Sequence, residues 1–261
     1  MGRMSMPPEG YPRAAAVSPR LQVIDQVDST NAKLLRDAEA DVHGHPHLSV
    51  LLTRDQRAGR GRLDRSWTTP AGSALAVSVL LRVSAVATAD RGWIPLIAGA
   101  AMTRAIAAQL TGLPVTLKWP NDVLVDRQKI CGILAEVLPS DPHVVIVGAG
   151  VNTSMVAADL PVTTATSFAA LGREADEDRL LADYLTFLRD DIATLAVHGG
   201  AAVAPAVSAL CATIGADVAA SLPDGTVLHG RAERLDAEGR LVLAADGVES
   251  VISAADIVHL R

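Results

Sequence analysis

Between residues 115 and 150 the sequence reads VTLKW, a Pro-Asn turn, DVLV, a DRQ turn, KICGILAEVL and, after a short polar break, HVVIVGAG. Runs rich in Val, Ile and Leu are separated there by connections far shorter than the dozen or more residues a parallel crossover requires. The segments therefore pair as hairpins, and the sheet they build is at least partly antiparallel, a mixed sheet rather than a βαβ repeat.

Upstream, LSVLL (48–52) reads as a buried strand, and ALAVSVLLRV (74–83) sets Leu75, Val77, Val79, Leu81 and Val83 on one face at period two. Helical signals lie around these strands. Asp28 and Ser29 are N-cap residues for a helix that starts near Ser29, holds Thr30 and Asn31 in its first turn, and turns Ala32, Leu35 and Ala38 inward. Residues 92–110 are mostly apolar, with Pro95 in a first turn, and predict a buried helix. Residues 177–197 space Leu181, Tyr184, Leu185, Leu188, Ile192 and Leu195 by three and four, an amphipathic helix.

Past Cys211 the texture changes to VAASL, TVLHGRAERL, RLVLA, VESVIS and DIVHL, split by PDG, DAEG and ADG turns. Short strands at that spacing predict a small β-barrel-like domain. At the other end Pro7, Pro8, Pro12 and Pro19 predict that residues 1–20 lack regular structure. The chain thus divides into a lead at 1–20, a large domain at 21–210 and a small one at 211–261, an α+β organisation that 261 residues accommodate.

Charge narrows the function. A net charge of −6 offers no general field for a nucleic-acid backbone, so any anion binding is local. Cys131 and Cys211 stand far apart, form no CxxC site and suit a reducing compartment. The N-terminal MGRMSMPPEGYPR lacks the apolar region of a secretory signal, and no run is long and apolar enough for a membrane span.

Against that acidic background, AGRGRLDRSW (58–67) is conspicuous, with Arg54 and Arg57 just before it. Glycines beside arginines make either a solvated loop or a cover for an anion, with forked guanidinium groups suited to carboxylate and phosphate. It is no Walker loop, and Asp64 breaks a dinucleotide fingerprint, as Thr153 does in GAGVNT (148–153). In KWPND (118–122), Asn121 and Asp122 either satisfy a local turn or, with Lys118, read a base edge or hold a cation. Lys129 heads an apolar strand whose pleat sends Lys129, Cys131 and Ile133 one way and Ile130 and Leu134 the other; it is either a solvated strand end or a charge aimed into a pocket, and Gly132, which leaves room for a ligand, favours the pocket. Cys131 has no histidine partner motif and reads as a buried thiol, and HGHPH (43–47) lacks metal-ligand spacing and reads as a polar loop.

Taken in order, DSTN, QRAGRGRLDRSW, KWPND, KICGIL and GAGVN resemble the biotin protein ligases, over about residues 21–261. The resemblance implies a mixed-sheet catalytic domain of the class II aminoacyl-tRNA synthetase/biotin ligase type, followed by an SH3-like β-barrel. It implies formation of biotinyl-5′-AMP from biotin and ATP with Mg2+, then transfer to a lysine on the biotin carboxyl-carrier domain of an acyl-CoA carboxylase. On that pattern Lys129, Arg62 and Asp122 are catalytic, Asp122 helping to deprotonate the acceptor or to position Mg2+. Ser29, Thr30, Asn31, Gln56, Gly59, Arg60 and Gly132 fall on the biotin side. Arg62, Arg65, Trp67, Lys118, Asn121, Lys129 and Asn152 fall on the ATP side.

The family loop carries glycine where this chain has Asp64, which predicts that Asp64→Gly lengthens adenylate retention. The lead before residue 21 leaves no room for a winged helix, so a cytoplasmic ligase without DNA binding is expected, as a monomer or weak homodimer. The rival readings are a lipoate-protein ligase of the same superfamily and a noncatalytic nucleotide-binding module.

Overall fold

The structure is a computed structural model that describes residues 10–63 and 65–260. In chain order the main elements are α1 (Pro12–Val17), β1 (Leu21–Val23), α2 (Thr30–Ala40), β2 (Ser49–Thr53), β3 (Gly59–Arg60), β4 (Ser66–Trp67) and β5 (Ala74–Arg82). They continue with α3 (Trp93–Ala107), β6 (Val115–Lys118), β7 (Asp122–Val125), β8 (Gln128–Leu138), β9 (Asp141–Asn152), α4 (Glu177–His198) and α5 (Gly200–Leu210). The C-terminal strands are β10 (Asp217–Ser221), β11 (Val227–Leu235), β12 (Leu241–Ala245), β13 (Val248–Ile252) and β14 (Asp256–His259).

The closely spaced segments pair as their short turns require. A seven-stranded sheet has the order β1-β2-β5-β9-β8-β7-β6. Its β1–β2 pair is parallel and its other pairs are antiparallel, so the sheet is mixed. Strand β5 is buried on both faces up to its last residue, because the sheet is covered twice. One face carries Val77, Val79, Val147 and Val151 into a core with Trp93 and Ile97 of α3 and Leu188 of α4. The opposite face packs Leu80 and Ile146 under Leu34 and Ala38 of α2.

Two local readings change. Pro12 sits in the first turn of α1, where a missing N–H costs nothing. The Asp178 carboxylate accepts from the free backbone N–H groups of Arg13 (3.1 Å) and Ala14 (3.0 Å). Residues 12–17, expected without regular structure, are therefore helical through a cap supplied from α4, with Tyr11 and Ala14 buried. In β8 the strict alternation fails, because Cys131 faces Val123 while Lys129 faces Leu124, leaving one extra residue. This bulge puts Lys129 on the side of Gly132, whereas Cys131, expected beside Lys129, turns into the core.

The C-terminal strands form one antiparallel sheet in the order β13-β12-β11-β10-β14. Two indoles fasten it to the large sheet's layer: Trp93 Nε1 donates to Ala237 O (2.9 Å) and Trp119 Nε1 to Gly239 O (3.1 Å). No helix among the described residues is long and apolar enough to cross a membrane.

Candidate active site

The site lies on the α2 face of the sheet, where large side chains give way to small ones. Ala76 of β5 is opposite Gly150 of β9, which is opposite Gly132 of β8. One step along, Ser78, Gly148 and Leu134 make a second row. These residues form a floor, and what stands on it explains their size. A Cβ on Gly148 would lie 2.4 Å from Asn31 Oδ1, and one on Gly150 would lie 2.7 Å from the Trp67 ring. Glycine is what lets a ligand or side chain approach a strand this closely.

At one end the walls are neutral and polar. The Ser29 hydroxyl caps α2 by accepting from Ala32 N (3.3 Å), as its position predicts. Thr30 donates its N–H (2.7 Å) and its hydroxyl (3.0 Å) to Gln56 Oε1, which joins α2 to the segment after β2. Asn31 donates to Leu134 O (3.2 Å) and accepts from Ser78 Oγ (2.5 Å).

The other end is cationic. The arginine-rich segment is a small hairpin, Gly59 opposite Trp67 and Arg60 opposite Ser66, folded over the floor. Arg62 points inward and donates to Asn121 Oδ1 (3.3 Å) and to Ala255 O (3.4 Å). Asn121 in turn donates to Ile133 O (2.8 Å), so KWPND fixes the Arg62 contact from β8. Lys129 Nζ lies 2.6 Å from Asp122 Oδ1, and Arg65 pairs with Asp256.

Burial lowers the pKa of Arg62, and the Asp256 and Asp122 carboxylates work against that drop. Lys118, opposite Asp122 across the β6–β7 pair, is lowered by burial and by the like charge of Lys129, with Asp122 opposing. Neither cation has a carboxylate within ion-pair distance among the described residues, so positive charge is left over at this end.

Of the residues singled out in the sequence, Ser29, Thr30, Asn31, Gln56, Arg60, Arg62, Arg65, Trp67, Asn121, Asp122, Lys129 and Gly132 line one cavity. Three expectations fall outside its wall. Asn152 is buried and donates its amide to Thr166 O (2.9 Å). Gly59 sits behind, where a Cβ would meet Trp67 O at 2.3 Å and Gln56 Nε2 at 2.4 Å. Lys118 stands next to the cavity through Asp122 rather than on its surface. Position 64 lies outside the described residues, so the expectation for Asp64 has no structural counterpart.

Several contributors were missed, among them Gly148 and Gly150, which also line the cavity, and Asp256 of β14, which reaches it from the C-terminal sheet. The two-residue spacing of glycines in an apolar strand was a legible signal for the first pair. Nothing local announces Asp256.

His45 and His47 make backbone contacts, with Asp41 O and Arg82 N. Cys131 is buried and its thiol pKa is pushed up, chiefly by that burial. No group of three or more His, Cys, Asp or Glu among the described residues is arranged to hold a metal ion.

A glycine floor under an arginine hairpin, with a lysine–aspartate pair at one end, gives one cavity a neutral polar end and a cationic end, and the chain's relatives say to which class of protein such a cavity belongs. Residues 23–152 match the biotin/lipoate A/B protein ligase family, and residues 213–260 match the biotin protein ligase C-terminal domain. The chain belongs to the biotin protein ligase family. It is 38% identical over 247 residues to a biotin–acetyl-CoA-carboxylase ligase of Mycobacterium tuberculosis, covering 93% of this chain and 90% of that one. A biotin–acetyl-CoA-carboxylase ligase of Paracoccus denitrificans is 33% identical, over 90% of this chain and 98% of its own. Among solved structures, the biotin protein ligase of Aquifex aeolicus in complex with biotin and ATP superposes with a TM-score of 0.77 at 22% identity, over 93% of this chain and 99% of the other, and so shares the fold.

Proposed function

We propose that this chain is a biotin–acetyl-CoA-carboxylase ligase that activates biotin with MgATP and passes the biotinyl group to a lysine of a carboxyl-carrier domain. One observation carries the reading: a single cavity has a neutral, hydrogen-bonding end at Ser29, Thr30, Asn31 and Gln56 and a cationic end at Arg62 and Lys129. The first suits a polar fused ring and the second suits two anions that must meet.

In the first step a biotin carboxylate oxygen forms a bond to the α-phosphorus while the bond to the β-phosphate oxygen breaks, releasing pyrophosphate. Negative charge accumulates on the transferring phosphoryl group, and fixed cations lower that barrier without having to reorganise. Lys129 supplies one charge where carboxylate and α-phosphate meet, and Arg62 supplies another from the hairpin. Trp67, on the Gly150 floor, offers an aromatic face to the adenine, Asn121 and Arg65 stand at the phosphates, and Lys118 adds positive charge from behind Asp122. Mg2+ would come with the triphosphate and would offset its charge, a role it fills through substrate phosphates and one or two carboxylates. Of the two carboxylates that line the cavity, Asp122 and Asp256, Asp122 stands beside Lys129 and would be the one to help hold it.

In the second step the neutral acceptor amine attacks the biotinyl carbonyl, the amide bond forms and AMP leaves. Asp122, held by Lys129, is the group placed to take the amine's proton. The hairpin excludes water from the mixed anhydride in the interval. Biotin rather than lipoate is favoured because the wall at Ser29, Thr30 and Gln56 is polar, whereas a dithiolane ring has no polar atoms to meet it. The free thiols of Cys131 and Cys211 accord with activity in the cytoplasm.

The test is transfer of labelled biotin to a carboxyl-carrier domain with MgATP, set against lipoate and against Lys129→Ala. Biotin transfer that disappears in the variant is the expected result. Transfer of lipoate alone, or of neither acid, overturns the proposal.

A further inference from the structure

Glu136 of β8 stands just outside the cavity and has no place in the chemistry above. Its carboxylate is nevertheless shared between two walls. Oε2 accepts from Asn31 Nδ2 at 2.8 Å, and Arg60 Nη2 lies 2.9 Å from Oε1 and 3.1 Å from Oε2. Asn31 belongs to α2 and Arg60 to the hairpin, so one carboxylate on a central strand ties the two together across the floor.

The hydrogen bonds of Asn31 show what that tie fixes. One amide hydrogen goes to Leu134 O and the other to Glu136, while Oδ1 accepts from the fully buried Ser78 hydroxyl. An amide with both donors engaged and its acceptor facing a hydroxyl has a single orientation. Without Glu136 one buried N–H loses its partner, an arrangement that costs more than a hydrogen bond contributes. Arg60 is half-exposed and carries a long flexible side chain, so an untied guanidinium samples many rotamers that must be frozen again on binding.

Glu136 also balances charge. It neutralises Arg60 at the ring end and leaves the surplus positive charge at the Lys129 and Arg62 end. An acid entering the cavity therefore meets only one strong attractor for its carboxylate.

We propose that Glu136 is a positioning residue that pre-sets Asn31 and Arg60, and with them the ring end of the biotin pocket. This rests on the biotin reading above.

The experiment measures biotin binding by calorimetry in the absence of ATP, for wild type, Glu136→Ala and Glu136→Gln, with the KM for ATP at saturating biotin and the Tm measured alongside. Glu136→Ala is expected to weaken biotin about tenfold, the size of one uncompensated buried donor. Glu136→Gln keeps an acceptor for Asn31 but loses the charge on Arg60, and is expected to weaken biotin about threefold, an effect absent when Arg60 is already alanine. The KM for ATP stays within twofold in both variants.

Biotin affinity within twofold of wild type in Glu136→Ala overturns the proposal. So does parallel weakening of biotin and ATP together with a fall in Tm, the mark of a merely structural residue. If Glu136→Ala does not fold, Glu136→Gln decides alone, and an unchanged Kd overturns the proposal. A wild type that does not bind biotin overturns the functional reading first, which separates the two failures.

Discussion

At the scale of single residues, Lys129 and the floor glycines make the sharpest claims. On the proposed reading Lys129 stabilises charge that develops only during adenylation, and Lys129→Ala should then slow biotinyl-adenylate formation by about 10²–10³-fold, as loss of a preorganised electrostatic donor does. Biotin-dependent exchange of pyrophosphate into ATP measures this, and a loss of less than about tenfold would show that Lys129 does not act there. The glycines make a crossed prediction. An alanine methyl at position 148 would sit 2.4 Å from Asn31 Oδ1, and one at position 150 would sit 2.7 Å from the Trp67 ring. Gly148→Ala should therefore raise the KM for biotin more than that for ATP, and Gly150→Ala should do the reverse, each by about tenfold for one displaced contact. Equal effects of either variant on both substrates would break the assignment of sides. Cys131 carries the opposite expectation: with its thiol buried in the core and its pKa raised, it should resist alkylation in the native protein and react on unfolding.

At the scale of elements, His47 in the turn before β2 and His259 at the end of β14 bear on how stability responds to acid. His47 Nδ1 accepts from Arg82 N (3.0 Å) and therefore must be unprotonated at that nitrogen. Thr213 Oγ1 accepts from Trp119 N (3.0 Å) and lies 3.1 Å from His259 Nε2. Burial holds both imidazoles below their ordinary pKa of 6.5, helped by Arg82 at His47 and by Lys118 and Arg127 at His259. A depressed folded-state pKa means that the unfolded chain takes up protons first. The stability these groups contribute is thus complete above pH 6.5 and is lost as the pH falls through their folded-state values. Denaturant midpoints at pH 7.5 and pH 5 should show a fall that is smaller in His259→Gln, and an identical fall in the variant would exclude His259. Helices and strands of this kind were mostly legible from period and turn chemistry, α2 with its Ser29 cap and the β6-to-β9 hairpins above all. What escaped depends on distant partners: α1 is capped from α4, the bulge at Lys129 is fixed by pairing with β7, and α5 lies in a segment without a polar stripe to mark it.

At the scale of the whole molecule, the site joins two sheets, and this was the part least visible in the sequence. Many residues of the cavity wall could be picked out one by one, because arginines beside glycines and a lysine heading an apolar strand are locally unusual. That β14 would complete the site depended on the docking of a small sheet held by Trp93 and Trp119, which no spacing encodes. The consequence is a hairpin closed from two sides: Arg62 donates to Asn121 in the large sheet and to Ala255 just before β14, while Arg65 pairs with Asp256. The Arg65–Asp256 pair is largely exposed, with 64% and 30% of the side chains accessible. An exposed pair contributes at most about 1 kcal/mol and weakens with salt, which makes this one a weak latch on the hairpin. Asp256→Ala should accordingly leave Tm nearly unchanged and shorten the lifetime of bound biotinyl-adenylate by up to about fivefold, the factor that 1 kcal/mol represents. The difference between variant and wild type should shrink as salt is raised, because screening weakens the same pair in the wild type. Single-turnover release of labelled adenylate at low and high ionic strength measures both effects. A lifetime unaffected by Asp256→Ala at low salt would mean that the hairpin is held from the large sheet alone.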